Sequence, residues 1–291
     1  MRSFSFFWIL FFFSWISLAQ EKTPFATYDF SADQEYLKQL NFLKEKPSTK
    51  KHLNDIVLWA TVHKDYETVI SYFSKLIDLD QGNPLLYFQL AGAYGIRIDE
   101  ISKFNALPYV SAMKSNFLKA HELDPRHTPT LMALVQVYAK LPGFLGGSFE
   151  KAKYYSDLLY EISTAEGLIA QGFILESQGE TLKAKEKFTK AFVELSFLEA
   201  CNSKINELYF RDKSQNLSYQ IGSIGLYLNI DIQKSICALN YYLNNFNEYD
   251  NLPKEWVSYK LSLLYEKIKE KEKAVYFRNL TFKINPKFKP Q

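Results

Sequence analysis

Glycine and proline are scarce, at 11 and 10 of 291 residues. That scarcity excludes collagen-like and linker-rich chains, and it disfavours all-β folds, whose frequent tight turns need both. Cysteine is scarcer still: two thiols cannot build a multi-disulfide scaffold or a four-cysteine zinc site. Neither sign of charge dominates, since 35 Lys and Arg stand against 32 Asp and Glu, a formal net of +3. The chain therefore lacks the cationic excess that marks proteins of nucleic acid or of anionic membranes. Past residue 20 it also lacks any long apolar run. What it has is hydrophobic content of 47% and aromatic content of 16%, enough to exclude disorder and to fill a sizeable core.

The first residues read MRSFSFFWILFFFSWISLAQ. Arg2 precedes an apolar run from Phe6 to Trp15, and Ser17-Leu18-Ala19 places small residues at the −3 and −1 positions of a cleavage site. This is the pattern of a secretory signal spanning residues 1–19, with cleavage after Ala19. The competing reading is an uncleaved anchor, but Phe4–Leu18 falls short of the roughly 20 residues that cross a bilayer. No cysteine lies near the cut, so no lipid attachment is expected there. The mature chain is expected to be exported, periplasmic or secreted, without stable membrane insertion.

The rest of the chain repeats. Tyr87, Leu90, Ala91 and Tyr94 follow the i, i+3, i+4, i+7 spacing of one helix face, and Phe117, Ala120 and Pro125 close that segment. The same frame returns at Leu131, Leu134, Val135, Tyr138 and Ala152. It is cleanest at Leu168, Gly172, Leu175, Gly179, Ala184, Phe188 and Ala191. It is present upstream at Ile56, Ala60, Val69, Phe73 and Leu76, and downstream at Ile221, Gly222, Leu239 and Tyr242, then Leu261, Ser262, Tyr265, Ala274 and Pro286. About six helix-turn-helix units of a roughly 34-residue period fit residues 50–288. Small residues at Ala91, Gly172, Gly222, Ala184 and Ala274 mark close helix approach, and Tyr94, Phe73, Phe117 and Phe188 fill between pairs. The competing reading is an irregular helical bundle. Stacked units instead make an all-α solenoid with a concave inner wall.

Before the array, residues 20–49 read as a capping helix. Ser31-Ala32-Asp33-Gln34 resembles a capping box, Tyr36, Leu37, Leu40 and Leu43 form a stripe, and Pro47 ends it. Residues 200–215 are expected to hold a helix around Ile205–Tyr209 and a polar connector at Arg211–Gln215, and residues 289–291 form a tail. Two units exceed the period, with insertions at 96–110 and 141–149, between the first and second helices of consecutive units. The second, LPGFLGGSF, carries Gly143, Gly146 and Gly147. No Gly-Lys-Ser/Thr follows them, which excludes a P-loop. They make either a shaped turn or, with the first insertion, a rim that touches a partner.

These motifs resemble the tetratricopeptide repeat (TPR). Tyr94-Gly95 before an insertion, Ala120 through Pro125, and Pro142-Gly143 with Gly146-Gly147 before Lys151-Ala152 are similar to a group of exported bacterial TPR proteins with a PG-x-x-GG insert. They are distantly similar to TPR proteins associated with TRAP transporters. The resemblance implies a right-handed superhelix and a binding scaffold. It also implies that the first helix of each unit lines the inner wall. That frame places Asn54, Leu58, Leu85, Phe88, Gly92, Met132, Gln136, Ile169, Phe173, Tyr219, Ser223, Trp256, Tyr259 and Leu263 there, an apolar and aromatic surface. The carboxylate clamp of chaperone-binding TPR domains needs Lys and Asn where this chain has Asn54 and Leu58, so a chain-terminal carboxylate is not the implied ligand. The alternative is that these aromatics are core.

Chemistry-bearing constellations are poor. His52, His63, His121 and His127 have no metal-ligand spacing and read as surface or loop residues, and no Gly-x-Ser-x-Gly occurs. Glu166 and Glu176 read as the solvated face of a helix. Cys201 and Cys237 are left open between a bridge and separate thiols. The sequence thus points to a non-catalytic scaffold that binds a peptide or protein partner, with no cofactor, no metal and no nucleic acid. An accessory protein holding a small apolar ligand is the alternative.

Overall fold

The computed structural model describes residues 33–195, 201, 204, 209–210, 215–247 and 252–289. The expected signal and Ser31 lie outside the described residues. Thirteen α-helices and no strand occur among the described residues. A single helix, α1 (Gln34–Lys44), comes first. Six hairpins follow: α2 (Lys50–Val62) with α3 (Tyr66–Leu79), α4 (Pro84–Glu100) with α5 (Lys103–Leu123), and α6 (Thr128–Lys140) with α7 (Phe149–Ile162). The last three are α8 (Thr164–Ser177) with α9 (Thr181–Glu194), α10 (Gln215–Leu228) with α11 (Ile232–Asn244), and α12 (Lys254–Lys267) with α13 (Lys271–Ile284). The chain divides into two compact units: residues 33–125 with 140–148, and residues 126–139 with 149–289.

The helices start where short polar side chains reach orphan backbone donors. Asp33 accepts from the Tyr36 N–H at 2.9 Å, Asp65 from Thr68 at 3.1 Å, Asn83 from Leu85 at 3.1 Å, and Asp231 from Lys234 at 3.1 Å. The cap of α1 is therefore Asp33 itself. Four hairpins then share one turn. The N–H groups of Asp65, Glu180, Ile230 and Glu270 each donate five residues back, to the carbonyls of Ala60, Leu175, Gly225 and Tyr265, at 2.8–3.0 Å. The residue before each donor is left-handed: Lys64 (φ 60°), Gly179 (φ 81°), Asn229 (φ 54°) and Lys269 (φ 63°). A six-to-one bond over a left-handed residue ends one helix and turns the chain back for the next. Glycine occupies that site in only one of the four.

In the first unit, α1 is docked by one tyrosine. The fully buried Tyr36 hydroxyl donates to Asp65 at 2.6 Å, its carbonyl accepts from the Trp59 indole at 3.3 Å, and its ring stacks on His63 at 4.6 Å. His63 is therefore packed between aromatic rings, because α1 covers the place where a surface histidine is expected. Leu53, Val57, Val69, Phe73, Leu76, Leu86 and Leu90 form the core beneath. The expected insertion at 96–110 is not a loop: only Ile101 and Ser102 separate α4 from α5. Ile96, Ile98, Ala106 and Val110 are buried, so the extra residues lengthen both helices of the hairpin. Glu67 ties this extension to α3, accepting from Arg97 at 2.7 Å and from the Tyr109 hydroxyl at 3.1 Å.

In the second unit, Tyr138 stacks on Tyr155 between α6 and α7. Gly172 faces the Phe188 ring and Gly222 faces Leu239 so closely that a Cβ at either would overlap its neighbour. Tyr219, Leu239, Tyr242, Val257, Leu261 and Leu264 continue the core through α10–α13. Cys201 and Cys237 form a disulfide, which joins the segment after α9 to the buried face of α11 and closes a separation of 36 residues.

Reducing that bridge, or the Cys201→Ser/Cys237→Ser pair, should cost about 3–4 kcal/mol by loop-closure entropy, read from urea midpoints. At the last hairpin turn, Lys269→Gly should raise stability by about 0.5–1 kcal/mol in the same assay, since glycine removes the left-handed strain.

Candidate functional site

The inner-wall positions fall into two classes. In the second unit Met132, Ile169, Phe173, Tyr219, Ser223 and Trp256 are buried, Ile169 completely. Gln136, Tyr259 and Leu263 are half-buried. In the first unit Leu58 is 40% exposed and Leu85 50% exposed, while Phe88 is half-buried against Phe117 at 5.8 Å. Gly92, one turn beyond Phe88 on α4, has open space where a Cβ would project. Asn54 is spent locally, its amide donating to the Lys50 carbonyl at 2.8 Å.

In the second unit, segments outside the hairpins pack back onto the helices. Tyr209, in the segment between α9 and α10, lies beside Glu166 and Ser163. Glu166, expected on a solvated face, is only 3% exposed. The repeat pattern describes a helix and its stacked neighbours, and it contains no information on a connector that returns over them. The neighbouring Phe210 is buried against Tyr241 at 4.6 Å. Burial chiefly, and the Glu166 charge secondarily, push the Tyr209 phenol above its ordinary range, with Ser163 acting in the opposite direction.

Next along the wall, Lys260 is buried over α10. Its ammonium donates to the Tyr227 hydroxyl at 2.7 Å and sits 4.4 Å and 5.3 Å from the ring centroids of Tyr227 and Tyr219. Tyr219, Ser223 and Tyr227 recur every four residues, so this cation lies along one face of α10. At the last hairpin Phe288 closes the surface. It is 7% exposed, with its ring 4.8 Å from Trp256 and 5.4 Å from Tyr259. Neither the burial of Tyr209 nor that of Phe288 is discernible from periodicity. The only sequence cue for Phe288 is a lone aromatic between Lys287 and Lys289.

The glycine motif makes a hydrogen-bonded turn in the first unit. Pro142 accepts from the Leu145 and Gly147 N–H groups at 2.9 Å and 3.1 Å, and Gly143–Leu145 form one 3₁₀ turn. Gly146 is left-handed at φ 84°, and a Cβ on Gly147 would strike the Leu141 carbonyl. Gly143 meets no such restriction. The Lys114 ammonium donates to the Leu145 carbonyl at 3.5 Å. The turn leaves Phe144 75% exposed at its apex. Among the described residues, no three His, Cys, Asp or Glu side chains converge as a metal site would require, and no helix is long and apolar enough to cross a membrane.

No protein-family model matches the chain, and no curated protein matches it. Among solved structures it is similar to a tetratricopeptide repeat protein from Parabacteroides merdae ATCC 43184. The identity is 11%, the match covers 89% of this chain and 90% of that one, and the TM-score is 0.43.

The raised Tyr209 phenol has a thermodynamic consequence. Above pH of about 10 the unfolded chain releases a proton that the folded chain retains, so this residue's contribution is present below that pH and lost above it. Urea midpoints for the parent should therefore fall more steeply above pH 10 than those of Tyr209→Phe.

Proposed function

We propose that the chain is an exported, non-catalytic TPR scaffold that binds a peptide or protein segment on the inner face of its first two hairpins. One observation carries the reading: Leu58 and Leu85 remain in solvent at positions the repeat frame assigns to that face, with open space at Gly92. At the equivalent positions of the last hairpin, Trp256 and Tyr259, the chain's own Phe288 lies on the wall. Exposed leucines on ordered helices hold hydrophobic free energy that a partner can release, about 25 cal/mol for each Å² covered. Phe144 supports the same reading. An aromatic side chain on a backbone held by glycines loses little entropy when a partner encloses it.

Export rests on the n-, h- and c-regions of residues 1–19. The disulfide supports it, since such bonds persist in oxidising compartments.

The test is capture followed by reconstitution. A partner recovered from the native exported fraction is purified and titrated against the parent, Leu85→Asp and Phe88→Asp. Both variants should weaken binding about tenfold or more, the scale of a hot-spot loss. Unchanged affinity in variants that keep their helix content would sink the proposal, and N-terminal sequencing of the exported chain should begin at Gln20.

A further inference from the structure

The C-terminal segment folds back onto the last hairpin at two points. Asn285 ends α13, and its side-chain amide donates to Glu255 on α12 at 3.1 Å. The Asn285 side-chain oxygen accepts from the Lys287 N–H at 3.0 Å, and its backbone carbonyl accepts from the Phe288 N–H at 3.0 Å. Asn285, Pro286, Lys287 and Phe288 therefore form a closed turn. Proline presets its backbone, and the asparagine side chain braces it from within.

That turn delivers one ring to Trp256 edge-on, at an interplanar angle of 76°, and to Tyr259 at 55°. Phe282 of α13 completes the slot, with centroids 6.4 Å apart at 73°. Edge-to-face contacts of this kind select an aromatic ring over an aliphatic chain of similar area. The carboxylate of Glu255 adds a polar anchor beside the apolar slot. Lys287 and Lys289 on either side of Phe288 stay in solvent, while the asparagine side chain and the ring make the contacts to α12.

We propose that the Trp256–Tyr259 slot is a recognition site for an Asn-Pro-x-aromatic turn of a partner protein, and that Phe288 is a resident occupant displaced on binding. The inference rests on the reading of the chain as a scaffold and supplies the chemistry of one of its ligands. A tethered occupant competes at high effective concentration. An external turn therefore binds with an apparent affinity reduced by the fraction of time the slot is vacant. The tail thus sets a threshold: only a partner with a better turn, or one already held elsewhere on the scaffold, takes the slot.

The test uses the full mature chain and a labelled peptide, Ile-Asn-Pro-Lys-Phe-Lys-Pro-Gln, read by fluorescence anisotropy. Phe288→Ala should bind it at least tenfold more tightly than the parent. A peptide with alanine in place of its phenylalanine should not bind, and Glu255→Gln added to Phe288→Ala should weaken binding severalfold.

Equal affinity for the parent and for Phe288→Ala, with helix content intact, overturns the proposal. So does loss of helix content in Phe288→Ala, which would make the residue a cap that the hairpin cannot fold without. A concentration-dependent parent dimer that Phe288→Ala abolishes also overturns it, and assigns the slot to the tail of a second copy. Leu85→Asp added to Phe288→Ala should leave peptide binding unchanged. Failure at this slot is therefore separable from failure of the first-unit reading.

Discussion

Four hairpins are closed by the same backbone bond, an N–H reaching five residues back to the end of the preceding helix over a left-handed residue. With this turn in place, the second helix of a pair lies antiparallel to the first, and its buried stripe is fixed. Phe73 in α3, Phe188 in α9 and Ala274 in α13 then meet partners on the first helix of their own hairpins or on a neighbour. The turn tolerates Lys64, Asn229 and Lys269 as well as Gly179, because the hydrogen bond and the packing outweigh a strain of about 1–2 kcal/mol at a non-glycine residue.

A hairpin closed in this way has more apolar surface than it can bury against itself. Stacking removes part of the excess, and this chain removes more by folding its own segments back. Tyr36 docks α1 onto the first hairpin, Tyr209 reaches Glu166 on α8, and Phe288 lies on Trp256 and Tyr259. In two of the three a polar companion sets the position: Asp65 for Tyr36 and Asn285 for Phe288. In the first unit Leu58 and Leu85 stay in solvent. The division between covered and uncovered wall gives the proposed function its location. A covered position becomes available only when its occupant leaves.

Not every polar contact carries comparable weight. The Arg97–Glu67 and Lys50–Asp80 pairs are solvent-accessible, so they set geometry more than stability. The buried Lys260 differs. Its ammonium has left water and sits among Tyr227 and Tyr219, so truncating it would remove packing, a hydrogen bond and two ring contacts together.

The repeat was legible because its cause is local. An apolar stripe recurring every three to four residues and small residues at Gly172 and Gly222 each specify a helix or a close approach from a few neighbouring positions. The hairpins, their order and the shaped glycine turn follow from such patterns. Which faces stay wet does not. Burial of Ile169, Phe173 and Trp256, the pairing of Cys201 with Cys237, and the conversion of the 96–110 insertion into longer helices depend on segments far apart in the chain. Periodicity identifies the side of a helix that can bury apolar area. Only the folded chain decides what covers it, because that depends on where distant segments return, and no local pattern encodes that path.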